Sequence, residues 1–442
     1  MTRPRSYVAE LLRLAGPVAL ARLGIIGMGL ADVVVVGQLA PDELPHQALG
    51  WAPTAVFLVA SIGLLQGVQV LAARSIGERN PKAAAVALRR GLVIALCAGL
   101  FSALPLWIFG EHMFSAFGVE EALVAPSARV MGVLALSIPL HLLYVAGTYF
   151  LEAIKKPGIS TVVMWLANGV NLGLNLLWVP EHGAMGSAWA TFGARVFLAV
   201  VLLACIWFLR DREYYGVRTL GGAGPTYGAL LGVGIAAAVS QAVEAGAFSA
   251  MTFIAGRIGA DVVSAYQIIL NLMAFVFMIA LGLGTATAVL VSEAIGRRAP
   301  EDAVRAGWTG LALNTIAMLL IAVLILAFAE PIGRLYTADA ALAALIASLI
   351  WAAAITLTPD GGQVVAASAL RARGDNWFPT FSHIFAYAVV MPVLGYWLAE
   401  HQGMEVAGLL IAIFWSSVAS VAVLVLRWWM LARRPAPVVE TA

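Results

Sequence analysis

Long runs of apolar residues alternate with short polar segments along almost the whole chain. Each run is long enough, at about 1.5 Å per helical residue, to cross a hydrocarbon layer of about 30 Å. We predict membrane-spanning helices at Leu11–Val36, Trp51–Ala72, Gly91–Gly110, Val130–Tyr149, Thr161–Val179, Ser187–Leu209, Tyr227–Ala255, Ser264–Val291, Trp308–Ala329, Ala343–Ala366, Phe381–Ala399 and Val406–Leu426. The tenth span is the weakest, because Pro359, Gly361 and Gly362 interrupt it.

The composition leaves few alternatives to a membrane protein. Of the 442 residues, 62% are hydrophobic and 11% are charged, and the mean hydropathy is +0.93, whereas soluble domains carry about 25% charged residues. The net charge of +2 is too small and too dispersed for a nucleic-acid groove. Cys97 and Cys205 lie in apolar runs and provide no disulfide or metal framework. The polar segment Met1–Glu10 precedes no cleavage site, so we interpret the first span as retained.

The basic residues predict the orientation. Of the 26 Lys and Arg residues, the loops on one side carry only Arg257 and Arg334. The segments on the other side carry Arg3, Arg5, Arg13, Arg74, Arg79, Lys82, Arg89, Arg90, Lys155, Lys156, Arg210, Arg212, Arg218, Arg297, Arg298, Arg305, Arg371, Arg373, Arg427, Arg433 and Arg434. Basic residues accumulate on the cytoplasmic side of a membrane protein. We therefore predict that both termini are cytoplasmic.

One six-residue motif occurs twice in the sequence, at the same place in each half of the predicted spans. Residues 76–81 (IGERNP) follow the second span, and residues 295–300 (IGRRAP) follow the eighth span, 219 residues later. An even number of spans in each half gives parallel repeats. The sequence thus predicts an all-α membrane protein with twelve transmembrane helices in two pseudo-symmetric six-helix bundles. The expected boundaries are an N-terminal lobe of residues 1–210, a cytoplasmic linker of residues 211–226 and a C-terminal lobe of residues 227–442.

Three carboxyl groups fall within predicted spans, where an ionisable group costs several kcal/mol unless it lines a cavity or has a partner. They are Asp32 in the first span, Glu244 in the seventh and Asp360 in the tenth. Residues 358–363 (TPDGGQ) are expected to break the tenth helix and to free backbone carbonyls beside Asp360. An acid in such a cavity can take up a proton or a cation, and an acid that is satisfied at a helix contact is the alternative.

Amide and hydroxyl side chains lie at the same depth. Asn168, Asn171 and Asn175 recur at spacings of three and four, so they share one helix face. Thr191 in the next span is a candidate neighbour of this face. Hydrogen bonding between helices would also account for these residues without any further role.

The embedded basic residues allow more than one interpretation. Arg22 and Arg195 are candidates for counter-ions of the acids or for structural residues, and His141 and His383 are interpreted as packed or pore-edge histidines. The chain contains no H-E-x-x-H, G-x-S-x-G or Walker A motif. We therefore expect neither an enzyme nor an ATP-driven pump, and no cofactor, which leaves an ion gradient as the source of energy.

Short motifs occur in a fixed order through nearly the whole chain. They are Gly16-Pro17, Asp32-x4-Gly37, Lys156-Pro157, Asn171-x3-Asn175-x2-Trp178, Gly183-Ala-Met-Gly186-x4-Thr191, Glu244, Ala265-Tyr266-Gln267-x3-Asn271, Phe277-Met278, Gly282-x-Gly284-x2-Thr287, Pro359-Asp360-x2-Gln363-Val364-Val365 and Ala369-Leu370-Arg371. This ordered set resembles the multidrug and toxic compound extrusion (MATE) transporters, and among them the NorM-like branch.

The resemblance implies two six-helix lobes around a central cleft that opens alternately to either side of the membrane. It implies export of cationic or amphipathic organic compounds in exchange for Na+ or H+. By position, Asp32, Glu244 and Asp360 are implied to be the residues that couple cations or protons. The supporting polar and substrate-cleft residues are implied to be Asn171, Asn175, Thr191, Gln267, Asn271 and Gln363. A sodium ion would be held by Asp32, Asn175, Glu244 and Asp360.

The chain departs from the family pattern at a few positions. The DinF-like branch has an acid where this chain has Asn175 and typically lacks the C-lobe acids, which favours the NorM-like branch. Tyr266 replaces the usual histidine, and Ala372 replaces the usual glycine. Neither change touches the three acids, but both argue against copying a substrate range from the family.

The alternative function is a lipid-linked oligosaccharide flippase of the same superfamily. Such a protein is expected to line its cleft with several basic residues, and here only Arg22, Arg129 and Arg195 lie within or at the edge of spans. For the exporter, the expected partners are small organic cations or amphipathic drugs and the lipid bilayer, with a monomer as the functional unit. The expected location is a bacterial-type inner (plasma) membrane.

Overall fold

The computed structural model describes residues 7–219, 221–337 and 339–433, without the side chain of Ala260, and within these ranges it contains no strand. The first part of the chain forms α1 (Tyr7–Leu39), a 3-10 turn (Pro41–Glu43), α2 (Leu44–Leu64), α3 (Gln66–Gly77), α4 (Pro81–Ala116), α5 (Glu121–Leu136), α6 (Ile138–Ala153), α7 (Pro157–Trp207) and α8 (Arg212–Tyr215). The second part forms α9 (Tyr227–Ile258), α10 (Ala260–Gly296), α11 (Pro300–Ala327), α12 (Ala329–Tyr336), α13 (Ala340–Arg373), α14 (Trp377–His383), a π-helical segment (Ile384–Val390), α15 (Met391–Tyr396), a second π-helical segment (Trp397–His401) and α16 (Glu405–Ala432). Arg3, Arg5 and Arg434 of the orientation argument lie outside the described residues.

The helices confirm the predicted number of spans. Within the described residues, eleven helical stretches are long and apolar enough to cross a membrane, and α2–α3 and α5–α6 each count as one of them. The stretch formed by α7 has 51 residues, about 76 Å at 1.5 Å per residue, which is far more than one crossing needs. Its helical geometry breaks at Gly183, where φ is 54° and ψ is −134°. This turn separates α7 into the fifth and sixth predicted spans, which gives twelve.

The surface of these helices is what a lipid environment requires. Large apolar side chains are widely exposed, for example Phe101 at 77%, Leu177 at 70% and Phe253 at 78%. In water such patches would drive association or aggregation, whereas hydrocarbon solvates them at no cost. The structure and the sequence therefore agree on a multi-pass membrane protein.

The chain divides into two compact units, Leu20–Ala238 and Met1–Ala19 with Val239–Ala442. The boundaries fall inside α1 and α9, whereas the sequence predicted a division at residues 211–226. In the first unit α4 packs against α5 and α6, and in the second unit α13 packs against α10, α11 and α16. The assignment of whole helices to two six-helix lobes stays a prediction.

The internal repeat is visible in the ends of the helices. Arg79 and Arg298 both have a positive φ, of 60° and 56°, and each follows the end of a helix. In both places the next amide closes a bond to the residue five positions earlier: Asn80 N donates to Ser75 O, and Ala299 N donates to Ala294 O, each at 3.0 Å. This pattern is a Schellman cap.

A second pair of helix ends repeats at the same interval. Lys155 and Gly374 have φ values of 60° and 105°. Lys156 N donates to Leu151 O at 2.8 Å, and Asp375 N donates to Leu370 O at 3.0 Å. Since the caps that end α3 and α6 recur 219 residues later at the ends of α10 and α13, the repeat is a repeat of backbone structure.

One prediction about the tenth span is wrong. Residues 358–363 do not break the helix, because α13 runs without interruption from Ala340 to Arg373. Pro359 costs the helix one backbone hydrogen bond and leaves the carbonyl of Ile355 without its usual partner. The two glycines serve close packing instead: a Cβ at Gly361 would lie 2.9 Å from the Asn314 carboxamide, and one at Gly362 would lie 3.0 Å from Val421.

The predicted linker, residues 211–226, is attached to the first unit. Arg89 donates to the carbonyl of Gly221 at 2.8 Å, and Arg90 donates to the carbonyl of Pro225 at 2.5 Å. Both arginines lie near the start of α4. Two adjacent charged donors therefore fix the course of the segment that leads into α9.

Candidate functional site

Asp32 lies on α1 and is 8% exposed. Its Oδ1 accepts hydrogen bonds from Asn171 Nδ2 at 2.9 Å and from Asn175 Nδ2 at 2.7 Å. Its Oδ2 accepts from Thr191 Oγ1 at 2.6 Å. The two asparagines precede the turn at Gly183 in α7 and the threonine follows it, so this turn lets both arms of one long helix face the same carboxylate. The structure thus brings together the four residues that the sequence grouped.

A cavity of about 150 Å³ lies beside this carboxylate. Its polar wall includes Asp32, Thr191, His141 and Arg195, and aliphatic residues and Trp51 form the rest. Arg195 donates to Ser137 Oγ at 2.7 Å, its guanidinium lies 5.6 Å from the Trp51 ring, and its charge interacts with that of Asp32. Both ring nitrogens of the buried His141 lack a hydrogen-bond partner among the described residues. The cavity therefore combines apolar surface with unused hydrogen-bonding capacity.

Arg22 has a different partner from the one considered in the sequence. Its Nη2 lies 3.9 Å from Glu152 Oε1, and its guanidinium lies 5.5 Å from the centre of the Tyr149 ring. Glu152 is 2% exposed and accepts a hydrogen bond from Gln69 Nε2 at 2.5 Å. This buried ion pair joins α1, α3 and α6 within the unit Leu20–Ala238.

Asp360 lies in the middle of α13 and is 7% exposed. Its Oδ1 accepts from Ser417 Oγ at 3.3 Å and from Tyr387 Oη at 3.4 Å, and these two hydroxyls are 3.4 Å apart. Tyr387 lies in a π-helical segment, a local widening of the helix that is frequent at functional sites. Two neutral hydroxyls at long distances hold this carboxylate less firmly than three donors hold Asp32.

Glu244 lies on α9 and is half-buried. Its carboxylate interacts electrostatically with Asp360 and with the guanidinium of Arg371, and Gln363 is a neighbour of both acids. Arg371 is 5% exposed and donates to Ser240 Oγ at 2.6 Å. The C-terminal acids therefore form one cluster with a resident arginine, inside the unit that contains Val239–Ala442.

The other predicted residues of the second half lie elsewhere. Gln267 and Asn271 are exposed side chains on α10, and neither has a hydrogen bond to an acid among the described residues. Gln267 donates to Thr252 at 3.0 Å, and Asn271 accepts from Tyr336 at 3.1 Å. His383 is buried and packs edge-on against Tyr387 with 5.6 Å between ring centres, as a packed histidine would.

The residues proposed for sodium fall into two sets. Asp32 and Asn175 belong to one compact unit, and Glu244 and Asp360 belong to the other. In the part of the chain that the structure describes, no group of three or more His, Cys, Asp or Glu side chains is arranged for a metal ion. Around Asp32 the buried Oδ1 atoms of Asn171 and Asn175 have no hydrogen-bond partner among the residues that the structure describes. Since Na+ is a hard cation and binds oxygen ligands, the residues fit such an ion if a carboxamide turns its oxygen toward Asp32.

Sequence reasoning missed several members of these clusters. Glu152 lies three residues beyond the predicted end of the fourth span, so a search of the spans does not include it, although its neighbours Leu151 and Ala153 are apolar. Tyr387 and Ser417 are neutral residues within spans. Arg371 enters the prediction as a cytoplasmic charge and as part of a short motif, without a role in the site. The signal that could have found Glu152 and Arg371 is their position in the repeat, because they are 219 residues apart.

Comparisons with known proteins agree with the geometry. The family model described as MatE matches residues 17–177 and again residues 236–397, so its two matches begin 219 residues apart. The chain is 41% identical over 440 residues to a probable multidrug resistance protein NorM of Caulobacter vibrioides, covering 97% of this chain and 93% of that protein. It is 30% identical to the multidrug resistance protein PmpM of Pseudomonas aeruginosa, covering 91% and 87% of the two chains.

A solved structure supports the fold independently. It is described as the outward-facing conformation of a multidrug resistance MATE family transporter, and it matches with a TM-score of 0.88 at 20% identity, over 96% of both chains. At this identity the likeness concerns the fold alone. The family model covers more than half of the chain and matches both halves of the repeat. The chain therefore belongs to the MatE family of transporters.

Proposed function

We propose that the protein is a secondary active multidrug exporter that moves cationic or amphipathic organic compounds out of the cell in exchange for Na+ or H+, by alternating access. The observation that carries the proposal is the presence of carboxylates inside membrane-spanning helices of both compact units, Asp32 in one and the Glu244–Asp360 cluster in the other. Such groups persist in a membrane where they bind ions or substrates. The names of the bacterial relatives, NorM and PmpM, support drugs as the substrate class.

The contacts of Glu244 and Asp360 support a competition between a positively charged substrate and a coupling ion for the same two acids. A positive ligand that approaches Glu244 or Asp360 gains the charge of two neighbouring carboxylates and competes with hydroxyl bonds of 3.3–3.4 Å from Ser417 and Tyr387. These bonds are long and are lost at little cost. A coupling ion supplies the competing positive charge. It changes the balance between two conformations only by its different affinity for each of them.

The flippase alternative receives no support from the contacts. It requires free basic side chains for an anionic substrate. Arg22 is paired with Glu152, and Arg195 donates to Ser137 and interacts with Asp32. Arg129 is exposed on α5. Arg22 and Arg195 are therefore already engaged with acids or hydroxyls.

The test is ethidium efflux from proteoliposomes that contain the purified chain, under an imposed Na+ gradient, an imposed pH gradient, or neither. We expect efflux above the no-gradient level in one of the first two conditions. Asp360→Asn should abolish gradient-driven efflux and leave folding intact. The matched control is Glu301→Gln, which removes an exposed carboxylate at the start of α11. Gradient-driven efflux by Asp360→Asn at the wild-type rate would contradict the proposed role of the acid.

A further inference from the structure

Arg371 differs from Arg22 in what surrounds its charge. Arg22 faces the carboxylate of Glu152 at 3.9 Å. Arg371 instead donates to the neutral hydroxyl of Ser240 at 2.6 Å, and its Nε has no hydrogen-bond partner among the described residues. The hydroxyl of Ser240 donates onward to Thr380 at 3.2 Å, which is neutral too. The guanidinium charge of Arg371 is therefore not cancelled by the groups that hold it.

These two contacts occupy equivalent places in the repeat. Arg371 follows Glu152 by 219 residues, and Ser240 follows Arg22 by 218 residues. Both units thus join the first helix of the repeat to its fourth helix, at the same position of the fourth helix and within one residue of the same position of the first. The second unit has an arginine where the first unit has the acid, and a serine where the first unit has the arginine. The helix contact is present in both units, but a neutral pair in the first unit corresponds to a single positive charge in the second.

The charge of Arg371 lies beside the acids of the second unit. Ser240 precedes Glu244 by four residues on α9, so the two side chains share one face of that helix. The charge of Arg371 interacts with that of Glu244, and Glu244 in turn interacts with Asp360. His383 is a further neighbour of Arg371. With the two carboxyl groups and the guanidinium ionised, this cluster has a formal charge of one negative unit.

We propose that Arg371 is a resident counter-cation that limits the Glu244–Asp360 cluster to one net positive charge of bound ligand. The inference rests on the proposed function and concerns the charge class of its substrates. Without the guanidinium, the two carboxylates would balance a dication. With it, the cluster balances a monovalent organic cation, and a second positive charge on the substrate finds no partner. Arg371 thereby acts as a positioning and selectivity residue that does not itself need to contact the substrate.

The test compares two dyes that share a phenanthridinium ring: ethidium, with one positive charge, and propidium, which carries a second charge on its side chain. Their affinities for the full-length protein in nanodiscs are measured by fluorescence at pH 8, above the usual pKa of a histidine of about 6.5. We expect the wild type to prefer ethidium. Arg371→Gln should shift the ratio of propidium to ethidium affinity at least about tenfold toward propidium, equal to about 1.4 kcal/mol. Arg371→Lys keeps the charge and should keep the wild-type ratio.

The control variants separate charge from shape. Arg305→Gln removes a cation that is 68% exposed and should leave the ratio unchanged. Glu244→Gln makes the cluster neutral and should weaken ethidium binding, and the double variant Glu244→Gln/Arg371→Gln should recover it because one negative unit is restored. If Arg371→Gln alone does not fold, this recovery of ethidium binding in the double variant tests the role of the Arg371 charge.

The outcomes distinguish this inference from the proposed function. A wild-type protein that binds neither dye and drives no ethidium efflux contradicts the proposed function itself. A wild type that exports ethidium, combined with an unchanged dye ratio in Arg371→Gln, overturns only the role of Arg371. Failure of the double variant to recover ethidium binding would also overturn the role of Arg371 and not the proposed function.

Discussion

The attraction between the charges of the buried pair Arg22 and Glu152 can be calculated from their separation. At a separation of 3.9 Å and an effective dielectric constant of about 20, the attraction between the two charges is about 4 kcal/mol. Arg22→Met keeps most of the side-chain volume, and Glu152→Gln keeps the hydrogen bond from Gln69. Each single change leaves the other partner buried without its counter-ion. A double-mutant cycle should therefore give a coupling free energy of about 2–4 kcal/mol.

The chain offers a control with the same separation. Arg305 and Glu301 also lie 3.9 Å apart, but their side chains are 68% and 87% exposed. Solvent screening should reduce the coupling of that pair to about 0.5 kcal/mol or less. Both cycles are measured by equilibrium unfolding in mixed micelles of dodecylmaltoside and sodium dodecyl sulfate. Equal coupling in the two cycles would refute the argument that burial makes the Arg22–Glu152 pair strong.

Two further predictions concern packing and orientation. A Cβ at Gly234 would overlap the backbone carbonyl of Leu64, so Gly234→Ala should destabilise the protein by about 1–3 kcal/mol. A Cβ at Gly232 on the same helix meets open space, so Gly232→Ala should be neutral or stabilising. Thermal unfolding in detergent compares the two variants, and equal unfolding midpoints would contradict the packing argument. The basic segments place the C-terminus in the cytoplasm. Green fluorescent protein fused to this terminus should therefore be fluorescent, and alkaline phosphatase fused to it should be inactive. The reverse result would overturn the predicted orientation.

The spans and the first acid site could be predicted because both depend on local patterns. Twelve runs of apolar residues survive any error in helix boundaries, and even α7 is resolved into two spans by the turn at Gly183. Asn171 and Asn175 share a helix face whatever that helix packs against, whereas their contact with Asp32 was implied only by the resemblance to the MATE transporters. Thr191 was a candidate neighbour of these asparagines because the sixth span follows the fifth directly in the chain.

The rest depends on which helices touch, and sequence spacing does not contain that information. Tyr387 and Ser417 reach Asp360 from two other helical segments, and a tyrosine or serine in a span has many ordinary explanations. The error at Gly361 has the same origin. Glycines beside a proline usually indicate a break, but here Asn314 packs so closely against the helix that no side chain fits. Only the neighbouring helix distinguishes the two cases.

The repeat explains why the units can share a scaffold and still differ in charge. Backbone features have been kept, since the caps at Arg79 and Lys155 recur at Arg298 and Gly374. The polar side chains have not, because the position equivalent to Asp360 is His141, 219 residues earlier. A cap is fixed by the geometry of one helix end, whereas a buried charge depends on every helix that surrounds it. An arginine at position 371, where the first half has the acid Glu152, therefore changes the charge of a whole cluster while the helices that carry the two residues end in the same way.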